Sequence, residues 1–214
     1  GRALLKACIN GSSEFMSNVA MSLVGMLYNI QLMKYAGENG VAAYGVMMYV
    51  SLVFSGTFIG YSVGTAPIFG YHDGAKNYSE LKNLLKKSII MIPVFGVAMV
   101  AFGELLATPL AKIFVSYDAK LMNLTVSGFR IYVFSFLFMG YAIFSSGFFT
   151  ALNDGVTSAV ISFFRTLVFQ IAAVMLLPLV WGIDGVWISI VVAEIMAVVF
   201  SVMFMIIRRK KYHY

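Results

Sequence analysis

The chain has 214 residues, 61% of them hydrophobic and 11% charged, with a formal net charge of +6 and a mean hydropathy of +0.89. A soluble domain runs nearer half apolar and about a quarter charged, so these figures exclude an ordinary water-soluble enzyme or binding module and give an integral membrane protein. Long unbroken apolar runs, rather than alternating ones, select helices over a β-barrel.

Crossing the hydrocarbon core takes roughly 20 apolar residues in a helix. Six stretches qualify by that length, at about 5–33, 41–69, 88–107, 131–152, 156–180 and 186–207. Together they make residues 1–214 a single all-α lobe of six transmembrane helices. A basic loop is expected at 71–87 and a basic tail at 208–214. Within the connection 108–125, the run 109–115 reads as a short interfacial helix. The other links are short, so neighbouring helices run antiparallel in an up-down bundle. The first residue is Gly, and a basic apolar run follows at once. The reading is a fragment or a processed half. No small-residue cleavage site ends the first run, so a signal peptide is not expected.

Lys and Arg set the orientation. With the start inside, Arg2, Lys6, the lysines of 71–87 and Arg208–Lys211 are cytoplasmic, against Lys34, Lys112, Lys120 and Arg130 outside. That asymmetry gives cytoplasmic termini. It also accounts for the net positive charge, so no nucleic-acid partner is expected. Trp181, Trp187 and Tyr117 fall near outer span ends, as an aromatic belt would have them.

Glu14 stands eight residues beyond Lys6, which is roughly 12 Å of helix rise. With Lys6 at the headgroups, Glu14 lies inside the bilayer, where a carboxylate is costly and usually functional or paired. Asn18, Ser22, Gly25 and Asn29 continue the same helix face, a polar stripe suited to a cavity or a helix interface. The alternative is a helix that starts at Ser12, with Glu14 in its first turn and favoured by the helix dipole. Glu194, Arg165 and Gln170 are secondary positions. For these the structural alternative is an Arg165–Glu194 ion pair or a polar contact between helices.

Gly56, Gly60 and Gly64 recur every four residues, a spacing that lets another helix approach closely. They are read as a packing seam that is itself able to frame a cavity. Cys8 is the lone cysteine, so no intrachain disulfide forms. His72 beside Asp73 is a poor metal site, and no metal is expected. There is no HExxH, no GxSxG, no glycine-rich phosphate loop and no Cys/His cluster, so no enzymatic activity is expected.

Phe15-Met-Ser-Asn-Val, Ala42-Ala-Tyr-Gly, Gly64-Thr-Ala-Pro-Ile-Phe-Gly-Tyr-His-Asp-Gly-Ala-Lys, Phe148-Phe-Thr-Ala-Leu-Asn and Gly182-Ile-Asp-Gly-Val-Trp stand in order along the chain. This series resembles the multidrug and toxic compound extrusion (MATE) transporters, most specifically at Gly64–Lys76. The resemblance implies a twelve-helix protein of two six-helix lobes, of which this is the C-terminal one. Its partners are then the missing N-terminal lobe, membrane lipid and a cationic or amphipathic small molecule. The implied activity is antiport in the cell membrane, driven by H⁺ or Na⁺ as coupling ion with no other cofactor. Glu14 matches the family's acidic position on the first helix of this lobe. The fourth span carries no acid where other members have Asp, which implies coupling through acids of the other lobe with Glu14 assisting. Two alternatives stand beside this one. A lipid-linked sugar flippase of the wider superfamily calls for a cationic cavity, and Arg165 is the single basic residue deep in a span. A non-transporting scaffold or accessory subunit leaves the polar stripe without a task.

Overall fold

The computed structural model describes the backbone of residues 2–214 and the side chains of Cys8 and of Asn18 onward. The described chain is helical almost throughout. Helix α1 runs Arg2–Gly74 and breaks at Gly37, where φ is 65° and ψ −154°. Only glycine adopts that conformation without a steric penalty. The chain folds back there, so Tyr28 and Tyr44 from the two arms stack with ring centroids 5.3 Å apart. Helix α2 runs Tyr78–Val115, α3 Ala119–Val133 and α4 Phe136–Ala151. Helix α5 is Gly155–Phe163, and a π-helical turn, Phe164–Val168, joins it to α6, Phe169–Leu176. Helix α7 runs Pro178–Tyr212 and breaks at Gly182, with φ 57° and ψ −131°.

Among the described residues, four helices are long and apolar enough to cross a bilayer. The pair α3–α4, bent by 51°, makes a further span. The break at Gly37 divides α1 into two crossing arms, which brings the architecture to six helical crossings. Residues such as Leu105, Ile113 and Val180 are 74% exposed around its sides. Water does not tolerate an apolar surface of that extent, whereas lipid does.

The core has two tiers. One gathers Tyr28, Leu32, Tyr44, Met47, Phe129, Val133 and Trp187, near the breaks at Gly37 and Gly182. The other gathers Phe69, Leu81, Leu85, Phe144, Phe148, Leu152 and Tyr214, at the opposite end. Close helix crossings between them use small residues. A Cβ added at Gly147 would stand 2.0 Å from Ser62 Oγ, and one at Gly140 would stand 2.6 Å from the Phe58 ring.

Several expectations are corrected. The segment 71–87 is not a loop. Residues 71–74 complete α1 and 78–87 begin α2, leaving a turn at 75–77. Asn77 caps α2 by accepting a hydrogen bond from the Glu80 N–H at 3.3 Å, which is why a polar stretch is helical there. The run 109–115 is the end of α2, which continues through Pro93 and Pro109. Proline in a long membrane helix removes one hydrogen bond but does not require a stop. The fourth crossing starts at Ala119. In α3, Lys120, Asn123, Ser127 and Arg130 face outward while Leu121, Thr125, Phe129 and Tyr132 are buried. That polar face lowers the mean hydropathy and hides the helix in the sequence. Trp187 belongs to no belt: it is fully buried, packed on Gly128 and Met47.

Candidate functional site

Two faces of α1 remain open. On the first arm, Asn18, Ser22 and Asn29 are exposed, with Met21, Met26, Ile30 and Met33 around them. Ser22 Oγ donates to the Asn18 carbonyl at 3.4 Å, one turn back. On the second arm, Gly56, Gly60 and Gly64 are exposed, and a Cβ added at any of them would meet nothing within 4 Å. Among the described residues, these glycines therefore pack against no other helix. The Glu14 side chain lies outside the described residues.

The other polar positions are buried behind this face. The Tyr28 hydroxyl donates to Gln170 Oε1 at 2.8 Å and lies 2.9 Å from Ser189 Oγ, so α1, α6 and α7 meet at one phenol. Ser189 Oγ in turn donates to the Val186 carbonyl at 2.6 Å. Gln31 Nε2 reaches Met175 Sδ at 3.2 Å, and the hydroxyls of Ser51 and Tyr132 are hydrogen-bonded across α1 and α3. These hydrogen bonds replace contacts that water would make outside the membrane, while the Trp187 Nε1–H is buried with no partner among the described residues.

Arg165 sits in the π-helical turn. Its Nε donates to Glu194 Oε2 at 3.0 Å and its Nη2 to Oε1 at 2.9 Å. The two side chains are 17% and 3% exposed. A two-pronged pair of this kind neutralises both charges and satisfies both carboxylate oxygens. The extra residue of a π turn rotates the side chains that follow it relative to an α-helix, and the turn here carries Arg165 to α7.

At the far end of the bundle, Asp154 caps α5 by accepting from the Thr157 N–H at 3.3 Å. Its other oxygen accepts from the Tyr212 hydroxyl at 2.8 Å and from Lys211 Nζ at 3.4 Å, and Arg208 Nε lies 3.7 Å away. Burial pushes this carboxyl up, but the hydrogen bonds from Tyr212 and Thr157 and the charge of Lys211 outweigh it and hold it below the usual carboxylate range. Between Asp154 and Arg165 runs a hydroxyl ladder. Ser146 bonds Ser158 and Ser162, both at 2.8 Å, and Thr150 bonds Ser158 at 2.7 Å.

The sequence-named residues thus fall into separate groups. Asn18, Ser22 and Asn29 are exposed on the first arm of α1 and the glycines on the second, Arg165 joins Glu194, and Gln170 joins Tyr28. Tyr28, Ser189, Tyr132 and Asp154 are absent from the sequence reading. Tyr28 hides among apolar neighbours, and nothing in its local pattern distinguishes it from lining. Asp154 carries a usable signal, since Asp immediately before an apolar run is a helix-start pattern. Among the described residues no three His, Cys, Asp or Glu side chains come together as a metal site.

Comparison with known proteins places this arrangement. No curated protein matches the chain. An outward-facing structure of a multidrug resistance MATE family transporter of the MOP superfamily matches with TM-score 0.91 and 24% identity, over 100% of this chain and 48% of that one. An inward-facing structure matches with TM-score 0.88 and 23% identity, over 100% of this chain and 50% of that one. A MOP superfamily transporter from Pyrococcus furiosus, described as having a binding pocket of reverse polarity that suggests a different function, matches with TM-score 0.91 and 23% identity, over 100% and 48%. The chain therefore spans about half the length of the solved transporters it matches. The profile of the MatE family covers residues 15–176, and the chain belongs to that family of membrane transporters.

Proposed function

We propose that this chain is the C-terminal lobe of a cation-coupled antiporter that exports amphipathic or cationic small molecules. The observation that carries the reading is the open α1 face. A membrane protein with Asn29 exposed on the same arm as the exposed Asn18 and Ser22 would turn a polar surface toward hydrocarbon, which costs free energy unless another protein surface or a water-filled cavity meets it. A second six-helix lobe opposite this face, enclosing a cavity between the two, meets that need.

Rigid-body rocking of the two lobes supplies the transport step. The similar agreement of this lobe with an outward-facing and an inward-facing structure, TM-scores 0.91 and 0.88, supports a unit that moves without refolding. Glu14 takes H⁺ or Na⁺ on the cavity wall, and its neutralisation weakens the hold on a cationic substrate. The exposed methionines of α1 offer an adaptable apolar lining.

The test is dye export from energised vesicles carrying the complete transporter, first under a pH gradient and then under a Na⁺ gradient. Export under one gradient, abolished in Glu14→Gln with insertion intact, is the expected result. Export by that variant at the wild-type rate removes Glu14 from the mechanism. No export under either gradient shifts the reading to a flippase or scaffold.

A further inference from the structure

We propose that the end of the bundle where α1 turns into α2 and α7 finishes is a binding surface for anionic phospholipid headgroups. The proposal rests on the membrane-spanning fold and is independent of which solute is moved. Two basic segments more than 120 residues apart in sequence, Lys76–Lys87 and Arg208–Lys211, meet there. The Tyr78 ring at the start of α2 lies 4.9 Å from the His213 ring after α7. Tyr214 is buried, packs edge-on against Phe148 at 5.1 Å and donates its hydroxyl to the Met205 carbonyl at 2.9 Å. These contacts fix the tail beside the α1–α2 turn.

Of the carboxylates at this end, Asp154 and Glu80 are engaged, and Asp73 at the end of α1 makes no ion pair within 4.0 Å among the described residues. Asp154 takes Arg208, Lys211 and Tyr212, and Glu80 accepts from the Asn83 amide at 3.0 and 3.1 Å. Among the described residues, Lys76, Lys82, Lys86, Lys87 and Lys210 are exposed and make no ion pair within 4.0 Å, and the exposed Arg209 donates its Nε to the Tyr214 main-chain oxygen at 3.0 Å. Lys82 and Lys86 stand four residues apart on α2, a like-charge spacing that destabilises a helix unless an anion lies between them.

Lipid-facing apolar residues adjoin both segments. Ile89 and Ile90 follow Lys87, and Ile206 and Ile207 precede Arg208, all 43–68% exposed. Cations therefore stand at headgroup depth directly above surface that meets acyl chains. An anionic phospholipid fits both at once, through its phosphate and through its tails. A free phosphate uses only the first. Sidedness of charge alone asks for Lys and Arg on one side of the membrane, not for two distant segments packed into one unpaired cluster.

The test uses spin-labelled phosphatidylglycerol and phosphatidylcholine in phosphatidylcholine vesicles containing the complete transporter. The selectivity of the protein-associated lipid is read by electron paramagnetic resonance. Wild type is expected to favour phosphatidylglycerol. K82Q/K86Q/K87Q and R209Q/K210Q should each lower the ratio by about half, the roughly fivefold effect of one charge being diluted over the whole lipid shell. K112Q/K120Q, at the opposite end of α2 and the start of α3, should leave it unchanged. Salt at about 1 M should bring wild type and variants together. Unchanged selectivity in both cluster variants, or an equal fall in K112Q/K120Q, overturns the proposal. So does phosphate that displaces phosphatidylglycerol better than chloride does at equal ionic strength.

Discussion

Arg165 and Glu194 stand 29 positions apart and meet through two hydrogen bonds of 3.0 and 2.9 Å inside the helical bundle. The carboxylate is nearly inaccessible, so its charge is tolerable only while the guanidinium holds it. Glu194→Gln is expected to cost about 3–5 kcal/mol by leaving a buried cation without its partner. Arg165→Met combined with Glu194→Met should recover most of that loss. Thermal unfolding of the single and double variants in one detergent decides the matter. A double variant as unstable as the single ones would mean that the pair does more than cancel charge.

The phenol of Tyr28 joins α6 and α7 to the first arm of α1 through Gln170 and Ser189. Tyr28→Phe keeps the stack on Tyr44 and removes both hydrogen bonds. A loss of about 1–3 kcal/mol is expected, because Gln170 Oε1 is left without its donor away from water. Gln170→Leu in the Tyr28→Phe background should then cost less than in wild type. Additive losses in a double-mutant cycle would contradict coupling through this bond.

Asp154 ties the α4–α5 turn to the end of α7, and its depressed pKa sets the direction of the pH response. A carboxylate of this kind contributes stability above its unfolded value of about 3.9 and loses it as pH falls through the lower folded value. Hydrogen-exchange protection of the 208–214 backbone should therefore hold at about pH 5 and fall below about pH 3. In Asp154→Asn it should be low at both. Equal protection in the variant and wild type at about pH 5 would mean that the tail is held by Tyr214 alone.

Glycines of two kinds occupy the bundle, and they should respond oppositely to enlargement. Gly147→Val drives a branched side chain into Ser62 and is expected to destabilise by about 1–3 kcal/mol or more. Gly60→Ala meets open space and should leave the melting temperature of this lobe unchanged or raise it slightly. A large loss at Gly60 would show that the second arm of α1 packs where the structure leaves it open.

Much of this was legible in the residues. Hydropathy gave six crossings, and the motifs from Phe15 to Trp187 carried the family. The Arg165–Glu194 pairing followed from two charges buried in helices close in sequence. The errors share one physical cause: composition stands in poorly for helix continuity. A polar N-cap at Asn77 keeps 78–87 helical, and Pro109 does not end α2. The mean hydropathy of α3 understates a helix with a well-buried face. The spacing of Gly56, Gly60 and Gly64 identified a helix face without saying what it meets. Gly140 and Gly147, which pack inside this lobe, stand seven residues apart, a two-turn interval that the four-residue spacing did not bring to notice.

The exposed α1 face is the centre of the functional reading, and its contact with water is the property to measure. Cys8 is exposed, so it is first replaced by serine. Single cysteines are then placed at Asn29, Gly60 and, as a lipid-facing reference, Leu105 in the complete transporter. A membrane-impermeant, water-soluble thiol reagent is applied with and without a cationic dye. A cavity wall predicts labelling at positions 29 and 60 that the dye slows, and little labelling at 105. Labelling at 29 and 60 no faster than at 105, with all three variants inserted and folded, would put this face against lipid and contradict the cavity.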